Sequence, residues 1–244
     1  MSRPDKADLR VYPNLKALSQ AVAESVVELA KAAVEQSGRF TIALSGGKTP
    51  RRLYGLLARK HRRQVPWDKV QVFWGDERYV PPDDPRSDYR MARKMLLDRV
   101  PIPEGNMHPM PTLFPRPEHA AEAYQATLRA HFPGRWPRFD LILLGLGVDG
   151  HTASLFPNNP ALDEKSRWVV AVDAEEADPP VRLTLTLPAI NHAKNIYFVA
   201  AGKDKAPALQ HALAAGPDPR AAPASAVAPV DGRLIWWVDR PAAR

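Results

Sequence analysis

The run Phe139-Asp-Leu-Ile-Leu-Leu144 is apolar at nearly every position and is bounded by turn residues. A strand with apolar side chains on both sides of the pleat has no face to offer water, so it requires covering layers above and below. Phe40 to Leu44, Val70 to Trp74, Trp168 to Val172, Asn195 to Ala200 and Leu234 to Val238 read as further strands, and Arg182 to Leu187 as a cleanly alternating one. Between them the period changes. Leu15, Leu18, Val22, Val26 and Leu29 recur at helical spacing, which predicts a helix from about Asn14 to Gln36, ended by Gly38. Shorter helices are predicted over 51–59, over 87–99 with Ser87 as N-cap, over 117–131 and over 204–214. This alternation predicts an α/β fold: a three-layer sandwich around a largely parallel, Rossmann-like central sheet, in one domain spanning residues 1–244. Residues 107–117 form a proline-rich connection, and Gly216 to Pro229 reads as a surface loop.

In a parallel sheet the loops leaving the C-terminal ends of the strands share one edge, where ligands bind. Three motifs follow strands directly: Ser45-Gly-Gly-Lys-Thr-Pro50, Asp76-Glu-Arg78 and Asp149-Gly-His151. Paired glycines running into a helix N-terminus make an anion cradle from backbone N–H groups, to which Ser45 and Thr49 add hydroxyls. It is not a Walker A loop, because Ile42 stands where that pattern needs its first glycine. The same residues also suit a tight βα turn, with Thr49 as N-cap and Pro50 at the first helical position. Three charged residues at a strand end are ordinarily just solvated. Beside an anion cradle, however, Arg78 can hold phosphate or stabilise an oxyanion. Arg182 and Lys205 begin elements in comparable positions.

His151 follows a glycine turn and is expected at or near the start of the next helix. There the positive end of the helix dipole disfavours imidazolium, leaving a neutral ring able to accept a proton. Gly145-x-Gly147-x-x-Gly150 also matches a dinucleotide-binding fingerprint, with Asp173 closing a later strand. That fingerprint needs an unbroken helix, which Pro157 and Pro160 forbid. Asp-Gly alone is a common turn pair and does not require a histidine.

The chain has no cysteines, so disulfides, zinc–thiolate sites and cysteine nucleophiles are excluded. Its start, Met1 to Arg10, is polar, and no apolar stretch approaches membrane-spanning length. A cytoplasmic location without membrane contact is expected. The formal charge of +7 suits an anionic partner. The basic residues are scattered, and the densest cluster, Arg59 to Arg63, reads as a helix end; no nucleic-acid partner is expected.

Together the motifs resemble the glucosamine-6-phosphate isomerase/6-phosphogluconolactonase family, on its lactonase side. Ser45-Gly-Gly-Lys-Thr-Pro50, Gly75-Asp-Glu-Arg78, Gly145 through Asp149-Gly-His-Thr-Ala-Ser-Leu-Phe-Pro157, Arg182-Leu-Thr-Leu-Thr-Leu-Pro188 and the ending Pro223-Ala-Ser…Trp237-Val-Asp239 carry the likeness in order along the chain. One departure stands at Ser87-Asp88, where the family usually has Ser-Asn. The resemblance implies a metabolic hydrolase acting on a sugar-phosphate lactone, 6-phospho-D-glucono-1,5-lactone, in the oxidative pentose phosphate pathway, with no metal or organic cofactor. It implies a monomer or weak homodimer. The implied catalytic residues are His151, Asp149 and Arg78; Ser45, Gly46, Gly47, Lys48, Thr49, Asp76, Arg182 and Lys205 would bind substrate and phosphate. A deaminase of the same fold needs a glutamate where Phe156 stands, which favours the lactonase. A non-catalytic sugar-phosphate sensor would be expected to carry a DNA-binding segment before the first α/β unit, where too few residues are available.

Overall fold

The computed structural model describes residues 8–214 and 218–244. Residues 1–7, most of the polar start, and Gly216, where the expected surface loop begins, lie outside the described residues. The elements run β1 (Asp8–Tyr12), α1 (Leu15–Ser37), β2 (Phe40–Leu44), α2 (Lys48–Lys60), β3 (Val70–Trp74), β4 (Asp76–Arg78), α3 (Asp88–Met95), α4 (Pro117–His131) and β5 (Leu141–Leu144). They continue with β6 (Val169–Asp173), β7 (Val181–Leu185), α5 (Leu187–Asn191), β8 (Asn195–Ala200), α6 (Ala206–Leu213) and β9 (Arg233–Asp239).

The long helix α1 begins where the Asn14 side chain accepts a hydrogen bond from the Ala17 N–H at 3.0 Å. It ends at Gly38, whose φ of 73° closes the last turn through a bond to the Val34 carbonyl. Its buried stripe includes Leu18, Val22, Val26 and Ala30 and faces the sheet.

Six strands form an all-parallel sheet in the order β1-β9-β8-β5-β2-β3. Every residue of β2 and β5 is buried, as expected for strands covered on both faces. Phe198 and Trp236 stack with ring centroids 3.8 Å apart in the core between adjacent strands. At the N-terminal edge of the sheet Asp140 accepts from the Thr41 N–H and hydroxyl, each at 2.8 Å, and from Lys194 Nζ at 2.7 Å. This carboxylate ties together the starts of β2, β5 and β8, leaving the opposite edge free for a ligand.

The strands at 168–172 and 182–187 do not join the parallel sheet. With β4 they form a separate antiparallel sheet ordered β4-β7-β6, against which α4 packs. β7 is buried on both faces apart from its first residue, so the polar half of its alternation faces the interior. Three elements escape a pattern reading: β1, whose Leu9 and Val11 stay exposed, β4, which is wholly charged, and the five-residue α5. Residues 97–99 close α3 as a short 3-10 turn instead of extending the helix. Within the expected surface loop, Ala222, Ala224 and Ser225 are buried, because a 3-10 turn over Pro223–Ala226 folds inward.

Candidate active site

From β2 the chain moves outward to β3, then returns to β5 on the other side of β2 and continues outward to β8 and β9. The loops leaving β2 and β5 therefore diverge and open a crevice at the C-terminal edge of the sheet. A cavity of about 530 Å³ lies there. Every residue singled out from the sequence as a candidate lines it except Asp149, which stands behind His151.

The loop after β2 is held from below. The Tyr54 hydroxyl, fully buried on α2, donates to the Ser45 carbonyl at 2.7 Å and accepts from the Ser45 N–H at 3.0 Å. Gly47, at φ 99°, is the residue before α2, a conformation that disfavours any side chain. It replaces Thr49 as N-cap, which moves Pro50 to the third helical position. The backbone N–H groups of residues 46–49 have no hydrogen-bond acceptor among the described residues and sit at the positive end of α2. Amides so placed can cradle an anion. Lys205 lines the cavity from the short turn before α6, with its Nζ only 3.7 Å from Asp204.

The second sheet supplies the charged wall. Arg78 and Arg182 are directly opposite in the β4–β7 register, and Asp76 is opposite Thr184. Adjacent like charges on one sheet face repel unless an anion lies between or beside them. Burial first, and then the charge of Arg78, push the Arg182 guanidinium below its ordinary value. Arg182 is held by the carbonyls of Pro179 and Asp178, and Arg78 by the carbonyl of Arg86 at 2.7 Å. Glu77 turns away from the cavity. Its carboxylate accepts from the N–H groups of Arg78, Asp88 and Tyr89 and from the Ser87 hydroxyl, closing the N-terminus of α3. Burial raises its pKa against the pull of those donors.

The loop after β5 does not become a helix. The segment from Gly147 runs through turns and a single β-bridge, Thr152 to Leu155, to a 3-10 turn at Pro160–Asp163. Pro157 and Pro160 exclude the helix, and Ala153 at φ 47° breaks its dihedrals. The helix-dipole argument for His151 therefore fails. A side-chain contact takes its place: His151 Nδ1 lies 2.6 Å from Asp149 Oδ1. The Asp149 carboxyl is raised by burial and lowered further by that hydrogen bond, ending below its ordinary range. An ionised Asp149 can only accept, so Nδ1 carries the proton, and in the neutral ring that tautomer puts the lone pair on Nε2. Nε2 has no partner among the described residues. The ring packs against Phe156 with centroids 4.6 Å apart.

Two contributors escape sequence reasoning. Ser154 donates to Asp76 Oδ2 at 2.7 Å, and its N–H bonds the Thr184 hydroxyl, so the histidine loop is fastened to the second sheet. Only its place three residues after His151 marks it in the sequence. Asp88 lines the cavity, buried against Gly46; a Cβ at Gly46 would stand 1.9 Å from its Oδ1. Among the described residues no group of three or more His, Asp or Glu side chains is arranged to hold a metal ion.

Fold and cavity define a Rossmann-like α/β protein with a cleft at its topological switch point, lined by unpaired backbone amides, two arginines and His151. The chain belongs to the glucosamine-6-phosphate isomerase/6-phosphogluconolactonase family, whose model matches residues 13–236. It is 49% identical over 213 residues to a 6-phosphogluconolactonase of Synechocystis, covering 86% of each chain. It is 39% identical over 245 residues to that of Mycobacterium tuberculosis, covering 97% of each. The solved structure of 6-phosphogluconolactonase from Trypanosoma brucei superposes with a TM-score of 0.87 at 32% identity, covering 99% of this chain and 98% of that one.

Proposed function

We propose that this chain hydrolyses 6-phospho-D-glucono-1,5-lactone to 6-phospho-D-gluconate, with His151 as the general base. The observation that carries the reading is the His151–Asp149 contact of 2.6 Å, which leaves Nε2 unpartnered on a ring that lines the cavity. The lactonase names of the extensively covered relatives support the substrate. Nε2 takes a proton from water as its oxygen attacks the lactone carbonyl at C1. Arg78 stabilises the tetrahedral oxyanion, and the imidazolium returns its proton to the departing ring oxygen. Asp149 keeps the ring in the tautomer that exposes Nε2. The phosphate rests on the amides of residues 46–49, with Arg182 and Lys205 as counter-charges. Fixing the phosphate sets C1 against the base, where much of the rate gain arises. Phe156 beside His151 offers no carboxylate for the proton transfers of a deaminase.

The test generates the lactone in situ with glucose-6-phosphate dehydrogenase and reads product with excess 6-phosphogluconate dehydrogenase. Acceleration by wild type and its loss to the spontaneous rate in His151→Ala are expected. A wild type that only matches the spontaneous rate defeats the reading and makes ammonia release from glucosamine 6-phosphate the next assay.

A further inference from the structure

Asp76 and Asp88 at the wall of the cavity, with Glu77 just behind it, crowd two guanidiniums, Arg78 and Arg182. Their hydrogen bonds are shared unequally. Glu77 takes the free N–H groups at the start of α3, although Asp88 is the first residue of that helix. Asp76 takes the Ser154 hydroxyl. Asp88 is 3% exposed and lines the cavity, yet its carboxyl accepts no hydrogen bond from any described residue. It forms one ion pair, with Arg78 Nε at 3.1 Å, at a distance without hydrogen-bond alignment, since that Nε is itself left without a hydrogen bond.

A carboxylate with this little exposure and no protein donor is costly to keep charged, and protonation removes most of the cost. The charge count points the same way. Within this wall two guanidiniums offset two of the three carboxylates, with Lys48 and Lys205 on other elements of the cavity lining, and a phosphate arriving there adds negative charge beside the third. We propose that Asp88 is a substrate-binding residue that works as a neutral carboxylic acid, donating its proton in a hydrogen bond to an oxygen of the bound sugar phosphate. The assignment rests on the lactonase reading for the identity of the ligand. Burial first, then the charge of Asp76, with Glu77 adding to it, push the Asp88 carboxyl well above the ordinary range, against Arg78 and Arg182. Tyr54 is the remaining titratable neighbour; burial, more than Asp88, pushes its own hydroxyl up, so it stays neutral. Gly46 leaves the space the carboxyl occupies.

The test compares Asp88→Asn, which keeps a donor of the same shape and cannot titrate, with Asp88→Ala, which removes it. Binding of 6-phosphogluconate to the full chain is followed by calorimetry between about pH 6 and about pH 9, with lactone turnover by wild type measured in parallel. Asp88→Asn should bind within about threefold of wild type near neutrality, and Asp88→Ala about tenfold to a hundredfold more weakly. Wild-type affinity should fall as pH rises and Asp88 ionises, and the Asn variant should lose that fall. Equal weakening by Asn and Ala, or the same pH profile in wild type and Asp88→Asn, overturns the assignment while wild-type turnover leaves the lactonase reading intact. A wild type that neither binds 6-phosphogluconate nor hydrolyses the lactone overturns both.

Discussion

Replacing Gly147 by alanine tests the catalytic geometry more sharply than removing the histidine. A Cβ at Gly147 would stand 2.1 Å from His151 Nδ1 and 2.4 Å from Asp149 Oδ1. Ordinary contact begins near 3.4 Å, so the imidazole must move by the 1.3 Å between these separations or swing off Asp149. Gly147 is not among the residues at positive φ, so alanine adds no backbone strain. The atoms displaced belong to side chains 33% and 43% exposed, which can shift without opening the core. The loss of stability should therefore stay below about 1 kcal/mol. The loss of rate should not stay small: a misplacement of about 1 Å costs about a hundredfold, or roughly 2.7 kcal/mol in the barrier. Gly145→Ala is the matched control, since its Cβ would meet nothing closer than Ser45 Oγ at 3.8 Å. The coupled dehydrogenase assay, corrected for spontaneous hydrolysis, should show kcat falling about a hundredfold in Gly147→Ala and within about threefold of wild type in Gly145→Ala. A Gly147→Ala protein that unfolds like wild type in urea and keeps its kcat would refute the link between ring position and rate.

Asp149→Asn removes the charge facing Nδ1 while keeping an acceptor; kcat should drop about tenfold to a hundredfold, less than for a fully buried dyad because the side chain is 43% exposed. Glu77→Gln turns an amide nitrogen toward backbone donors and should cost about 2–3 kcal/mol in urea unfolding, with α3 loosening first. Partial burial first, and then the charge of His131, lower the pKa of the half-buried His108 from 6.5 to about 4. The folded state resists protonation that the unfolded chain accepts, so stability is lost as pH falls from 6.5 toward about 4. After solvent screening the loss is about 1 kcal/mol, and thermal melts of His108→Gln should show a flatter profile over that window.

Element by element, the strands of the central sheet and the long helix were legible because their signals are local. Asn14 and Gly38 bound α1 through the hydrogen bonds their residue types favour, and Ser87 caps α3 through its hydroxyl at 3.1 Å from the Arg90 N–H. The motifs at the strand ends were legible for the same reason. A strand followed by glycines ordinarily leads into a helix, which is why His151 is expected on one; Pro157 and Pro160 rule that helix out for the whole loop. β4 carries no such local signal, because Asp76, Glu77 and Arg78 form a strand without strand propensity.

By itself the sequence determined the α/β class, the parallel core, and the residue types gathered at the C-terminal edge of the sheet. Periodicity, caps and breakers act over a few residues, and a parallel sheet then brings the loop ends together. The tertiary structure alone decided that β4, β6 and β7 form their own sheet, that Arg78 stands opposite Arg182, and that Glu77 rather than Asp88 holds the donors of α3. It also decided that Ser154 reaches Asp76 across 78 residues of chain. Such contacts follow from strand register and from competition between side chains for the same few N–H groups, and both are settled only when distant segments pack.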